Sequence, residues 1–140
     1  MRVLLVAAAR TPQLTTVSDV AASFKLSEAH VVKCVHQLGR WGFLETVRGN
    51  GGGFRLAKSP EVITLGDVLR YTEENFHLVE CFNKETNTCQ LSGHCKLQTK
   101  LGAALAAFLA ALQDITLADV MLEPDVFRHA VGLEPYVPGA

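Results

Sequence analysis

Apolar residues at Val3, Leu4 and Val6 to Ala8 recur with helical spacing from the start of the chain and stop at Arg10-Thr11-Pro12. Thr16 is a capping residue, and Val17, Val20 and Ala21 behind it share one face, which predicts a short helix to about Phe24. Lys25-Leu26 forms a turn, Ser27 caps the next helix, and Val31, Cys34, Val35 and Leu38 repeat at helical spacing down to Gly42. Two short helices joined by a tight turn make a helix-turn-helix. The pattern then changes period. Phe43 to Val47 and Phe54 to Ala57 are strand-like, and the glycines between them supply the turn of a hairpin, a wing in this position. Pro60 breaks the chain, and Thr64 caps a helix through Leu65, Val68 and Leu69. Past Cys95, positions 97, 101, 105, 108, 109 and 112 form one stripe of a helix of about 18 residues, roughly 27 Å long. Thr116 caps one further turn or two, and the tail from Glu123, with three prolines and no period, is expected to be irregular. The fold class that follows is mainly α with a small β wing. A winged helix-turn-helix occupies 1–60, a connecting helix and cysteine loop 61–96, a long helix with a short successor 97–122, and the tail 123–140.

Composition narrows the class. The chain has 140 residues, 49% hydrophobic and 19% charged, the balance of a folded domain with a real core. The longest uncharged stretch, Leu101 to Gln113, is too short and too alanine-rich to span a bilayer, so no membrane association is expected. The opening MRVLLVAAAR lacks a cleavage site and reads as a first helix, which places the protein in the cytoplasm. Residues 1–60 carry eight Lys/Arg against three acids, +5, and residues 61–140 five against eleven, −6. A basic first half suits a polyanion, and the acidic second half argues against nucleic acid coating the whole molecule.

On the second helix the apolar face is 31, 34, 35 and 38, so Ala29, Lys33, His36 and Arg40 point away from it. That outward face is what a recognition helix presents to a major groove of double-stranded DNA, N-terminal residues nearest the bases. Ser27, Glu28, His30 and Lys33 are the base-edge candidates, with Val32 able to meet a thymine methyl and His36 and Arg40 placed for phosphate. The plain alternative is an ordinary solvated face. The segment RGNGGGFR favours the first reading. It sets Arg48 and Arg55 on either side of four glycines, Gly51 among them, and a side-chain-free tip can enter a minor groove whose potential attracts arginine. A phosphate-binding loop would need a Lys-Ser/Thr and a following helix, both missing here.

Three of the four cysteines lie in CFNKETNTCQLSGHC. Cys34 falls on the apolar stripe and is expected to be a small core residue. Cys81, Cys89 and Cys95 stand in a polar loop, which is no packing pattern, and Cys95 meets the start of the long helix, where thiolate is favoured. Zinc sites usually pair ligands two to four residues apart, and no such cysteine pair exists. The wider spacing suits an iron-sulfur cluster, but spacing alone leaves zinc, reactive thiols and a disulfide open. A cysteine-based enzyme needs a histidine oriented by a third group, and His94 beside Cys95 offers no such arrangement, so no enzyme is expected.

Three stretches, LSEAHVVKCVHQLGRWGFLETVRGNGGGFRLAKSPEVITLGDVLRYTE, LVECF with NTCQLSGHCKL, and AFLAALQDITLADVM, together resemble the winged-helix iron-sulfur regulators of the NsrR, IscR and RirA type, from Met1 to about Leu122. The resemblance implies a dimeric transcription repressor on a palindromic operator, its long helix pairing antiparallel between copies. It implies Cys81, Cys89 and Cys95 as ligands of a cluster, 4Fe-4S rather than 2Fe-2S, Lys33 as a recognition contact and Arg48 as the minor-groove arginine. IscR-type chains carry a histidine three residues past the last cysteine, where Gln98 stands here. NsrR-type chains begin with roughly ten more residues before RVLL, and one branch takes a cluster ligand from them, so the fourth ligand stays unnamed. VECF, NTC and VVKCVHQLGRWGFLETVRG sit closest to the NsrR type, which implies nitric oxide as the signal. An iron-responsive regulator of the RirA type, or a zinc- or thiol-switched one, is the alternative.

Overall fold

The computed structural model describes residues 1–133. Among the described residues, six helices and one two-stranded sheet follow in the order α1 (Arg2–Ala9), α2 (Val17–Phe24), α3 (Glu28–Arg40), β1 (Leu44–Val47), β2 (Gly53–Leu56), α4 (Leu65–Thr72), α5 (Lys96–Gln113) and α6 (Pro124–Ala130), with single 3-10 turns between some of them. The fold is therefore mainly α with a small β wing, as the pattern predicts. The chain divides into two compact units, one from Met1–Ile63 with Thr116 onward, the other Thr64–Ile115.

The first unit forms around the apolar faces of α1, α2 and α3. Thr16 accepts from Asp19 N while Asp19 accepts from Thr16 N, a reciprocal cap that starts α2 where the sequence places it. Ser27 Oγ accepts from His30 N and starts α3. Between them Lys25 takes φ 52°, the left-handed turn that lets the helices cross. Leu4, Val6, Val20, Val31, Val35 and Leu38 close the core with Phe43 and Phe54 of the hairpin. Each large side chain so buried contributes about 1.5–3 kcal/mol. The strands pair antiparallel with Glu45 opposite Arg55 and Thr46 opposite Phe54. Thr15 adds a third edge: its N donates to Phe54 O and its O accepts from Phe54 N, both at 2.8 Å. Gly53 makes this possible, because a Cβ there would stand 2.5 Å from Thr15 O.

Two expectations need correcting. Cys34 is half-buried and not a core residue. At 100° per residue it sits about 60° round from the centre of the Val31, Val35, Leu38 stripe, on the edge of the buried face. The tail is not irregular throughout, since α6 forms over Pro124–Ala130. Proline at the first helical position loses nothing, its missing N–H being one that no helical carbonyl would receive. Phe127 is buried, and the Arg128 guanidinium donates to the Ala9 carbonyl at the end of α1. The rest of the expected irregular tail, 134–140, lies outside the described residues. Before α6 lies a 3-10 turn (Ala118–Val120), where Thr116 N and Oγ1 both donate to Asp119 Oδ2 and hold that carboxyl below its ordinary range.

The second unit is α4, the cysteine loop and α5. Thr64 caps α4 by accepting from Asp67 N at 3.0 Å. Gln113, at the far end of α5, donates from Nε2 to Thr64 Oγ1 at 2.9 Å and to Asp67 Oδ1 at 3.1 Å, while its Oε1 accepts from Arg70 at 3.3 Å. This clamp fixes the end of α5 against the start of α4. Gly66 is buried at the same crossing.

Candidate DNA-reading surface and cysteine loop

Ser27, Glu28, His30, Lys33, His36 and Arg40 on α3, and Arg48, Gly51 and Arg55 on the hairpin, are all exposed. α3, its N-cap and the hairpin therefore present the whole expected set to solvent from one compact unit. Their circumstances differ. Ser27 already spends its oxygen lone pair as the cap of α3. Arg55 lies across the strands from Glu45, its Nε and an Nη each 3.0 Å from the carboxylate. Arg48 has no ion pair among the described residues and stands at the turn, beside Gly49 at φ 110° and Gly51 at φ 76°, conformations an L side chain rarely adopts. Val32, half-exposed at 52%, is an apolar point on the same helix.

Cys81, Cys89 and Cys95 are free thiols, each half-buried, all within the second unit. Cys81 sits in a 3-10 turn (Glu80–Phe82), and Cys95 is the N-cap of α5 with no side-chain cap in its place. Asparagines fold the intervening chain. Asn83 Oδ1 accepts from Glu85 N and Asn87 Oδ1 from Cys89 N, each at 3.0 Å, while Asn87 Nδ2 donates to Ser92 Oγ at 2.7 Å. Gly93 at φ 86° reverses the chain into Cys95. Gln98, in the first turn of α5, donates to the Cys81 carbonyl at 2.8 Å and so ties the two ends of the loop. A cavity of about 820 Å³ opens here, lined by Phe76, His77, Cys81, Lys84 and Gln98 among others.

Among the described residues no three His, Cys, Asp or Glu side chains converge closely enough to hold one metal ion. The donor chemistry is nonetheless that of a soft metal site: three free sulfurs only partly open to water, one of them at the N-cap of α5. Sequence reasoning placed the cysteines but missed the task of Gln98, visible beforehand only as a residue standing where a histidine was expected. The Gln113 clamp had no local signal, because its partners lie 46 and 49 residues away.

A helix-turn-helix with a glycine-tipped wing, coupled in one chain to a thiol-bearing loop and a long helix, defines a winged-helix DNA-binding protein. The family model for Rrf2, an iron-dependent transcriptional regulator, matches residues 1–123. The HTH-type transcriptional regulator NsrR of Bacillus licheniformis is 43% identical over 129 residues, covering 91% of this chain and 90% of that one. NsrR of Geobacillus kaustophilus is 48% identical over 122 residues, 86% of this chain and 83% of its own. Among solved structures, IscR of T. potens superposes with a TM-score of 0.66 at 22% identity, over 84% of this chain and 77% of that chain. CymR, the global cysteine regulator of B. subtilis, does so at 0.68 and 23%, over 85% and 87%. The chain belongs to the Rrf2 family. It is a DNA-binding transcriptional regulator and not an enzyme. No helix among the described residues is long and apolar enough to cross a membrane.

Proposed function

We propose that this regulator is a homodimeric, cytoplasmic repressor that binds a palindromic operator and lets it go when nitric oxide reaches an iron-sulfur cluster held by Cys81, Cys89 and Cys95. The observation that carries the reading is the run of three free, half-buried thiols ending on the N-cap of α5, in a chain 42% or more identical to several NsrR regulators. A cluster of the 4Fe-4S type, when bound, supplies iron with an exchangeable coordination position that a diatomic ligand can occupy. The chain's own part is to hold and orient. Cys95 couples whatever its sulfur binds to the first turn of α5, and Gln98 fixes the Cys81 backbone to that same turn. The open face of α5, with Leu97 63% and Phe108 54% exposed, serves for pairing of copies. Two copies then offer two α3 helices to two half-sites. Ser27, Glu28, His30 and Lys33 read base edges, His36 and Arg40 meet phosphate, and Arg48 enters the minor groove with Gly51 and Arg55 beside it.

Anaerobic reconstitution with iron and sulfide tests this. Broad visible absorption, bleached by nitric oxide in step with operator release in a gel-shift assay, is the expected result, and Cys89→Ser is expected to abolish the colour while keeping a folded chain. Protein that takes up no iron or sulfide, or a Cys89→Ser variant that keeps the colour, sinks the assignment.

A further inference from the structure

Outside the loop, two side chains of metal-binding type lie together. Cys34 Sγ and His30 Nε2 are 3.6 Å apart, four residues apart on α3 and so on the same face, one turn above the other. We propose that His30 and Cys34 form a second, two-donor site for a zinc-class divalent cation on the DNA-reading helix, and that its occupancy competes with operator binding.

The separation is the argument. A tetrahedral zinc with sulfur at about 2.3 Å and imidazole nitrogen at about 2.0–2.1 Å holds those two atoms about 3.5 Å apart. The pair already has that spacing within its helix, so a cation can enter with little movement of the backbone. Cys34 is half-buried at the edge of the apolar face and His30 is exposed, which leaves the outward coordination positions to water. On binding, the thiol gives its proton to solvent as the sulfur-metal bond forms, and the imidazole contributes its Nε2 lone pair while Nδ1 keeps the proton. The Nε2 that already faces Cys34 then carries the cation and is withheld from a base edge. A hydrated ion also occupies space between α3 and the groove floor. Metal uptake needs only these two residues, whereas competition with DNA rests on α3 being the reading helix, so the two can fail separately.

Cobalt(II) is the probe, because a thiolate ligand gives it near-ultraviolet charge-transfer absorption. The full cluster-free chain is titrated beside Cys34→Ser and His30→Gln, all with the loop cysteines intact. The expected result is that each variant takes up about one Co2+ per chain fewer than the parent, with proportionate loss of the absorption. His30→Gln changes an exposed side chain, so it decides the matter if Cys34→Ser does not fold. Added Zn2+ is expected to weaken operator binding of the parent about tenfold or more and that of Cys34→Ser not at all. Equal Co2+ uptake by parent and variants overturns the site, and equal sensitivity of DNA binding to Zn2+ overturns the competition while leaving the cluster reading untouched.

Discussion

Replacing Gly66 by alanine tests whether the crossing of α4 and α5 is as tight as its geometry indicates. A Cβ at residue 66 would stand 2.6 Å from Gln113 Oε1 and 3.0 Å from both N and Cα of Gln113. The side-chain oxygen can swing away, though only by leaving Arg70, and with Nε2 still tied to Thr64 and Asp67. The backbone atoms cannot. Ordinary contact begins at about 3.4 Å, so the helices must part by a few tenths of an ångström. Forcing an extra methyl into a closed contact costs about 1–3 kcal/mol, and exchanging glycine for alanine in a helix returns at most about 1 kcal/mol. The net expectation is a loss of about 1–2 kcal/mol, seen as a fall of about 3–8 °C in Tm in a far-ultraviolet circular dichroism melt. The double variant Gly66→Ala/Gln113→Ala should melt no higher than Gly66→Ala, because N and Cα of residue 113 remain. A single variant melting at or above the parent, or recovery in the double, would show that side-chain tips and not backbone set the contact.

Arg48→Ala is expected to weaken operator binding and to lower the slope of log affinity against log salt by about one; an unchanged slope removes Arg48 from the phosphate-bearing interface. Glu45→Gln releases Arg55 from its carboxylate and should tighten operator binding about two- to five-fold at low salt, with the gain fading as salt rises. No change at low salt would mean that Arg55 faces away from the DNA. Thr16→Ala removes the hydroxyl half of the α2 cap, and equilibrium denaturation should register a loss of about 1 kcal/mol; a loss near zero would mean that packing alone starts α2.

The elements announced by short-range chemistry were legible in advance. Thr16, Ser27 and Thr64 each cap the helix they precede, and the hairpin lies where the period shifts from helical to alternating. The cysteine loop was legible in the same way, as thiols in a polar context. Three things were not. Pro124 reads as a breaker until its position at the start of α6 is known, and what holds α6 is a contact from Arg128 back to Ala9, 119 residues earlier. Cys34 belongs to an apolar stripe in sequence but falls on its margin in space, where burial depends on what the neighbouring elements cover. Gln98 and Gln113 are ordinary polar residues in a helix, and only the fold brings the Cys81 carbonyl to one and Thr64 and Asp67 to the other.

Pairing of copies along the uncovered side of α5, as proposed, would make the regulator's abundance part of its physics. With copies joined along that helix, folding and association share one equilibrium, and every tenfold dilution removes about 1.4 kcal/mol from the joined state. A spectrometer cell filled with concentrated protein would flatter such a pair, which would hold together less firmly at low copy number. The rate of synthesis would then bear on how many paired readers reach the promoter.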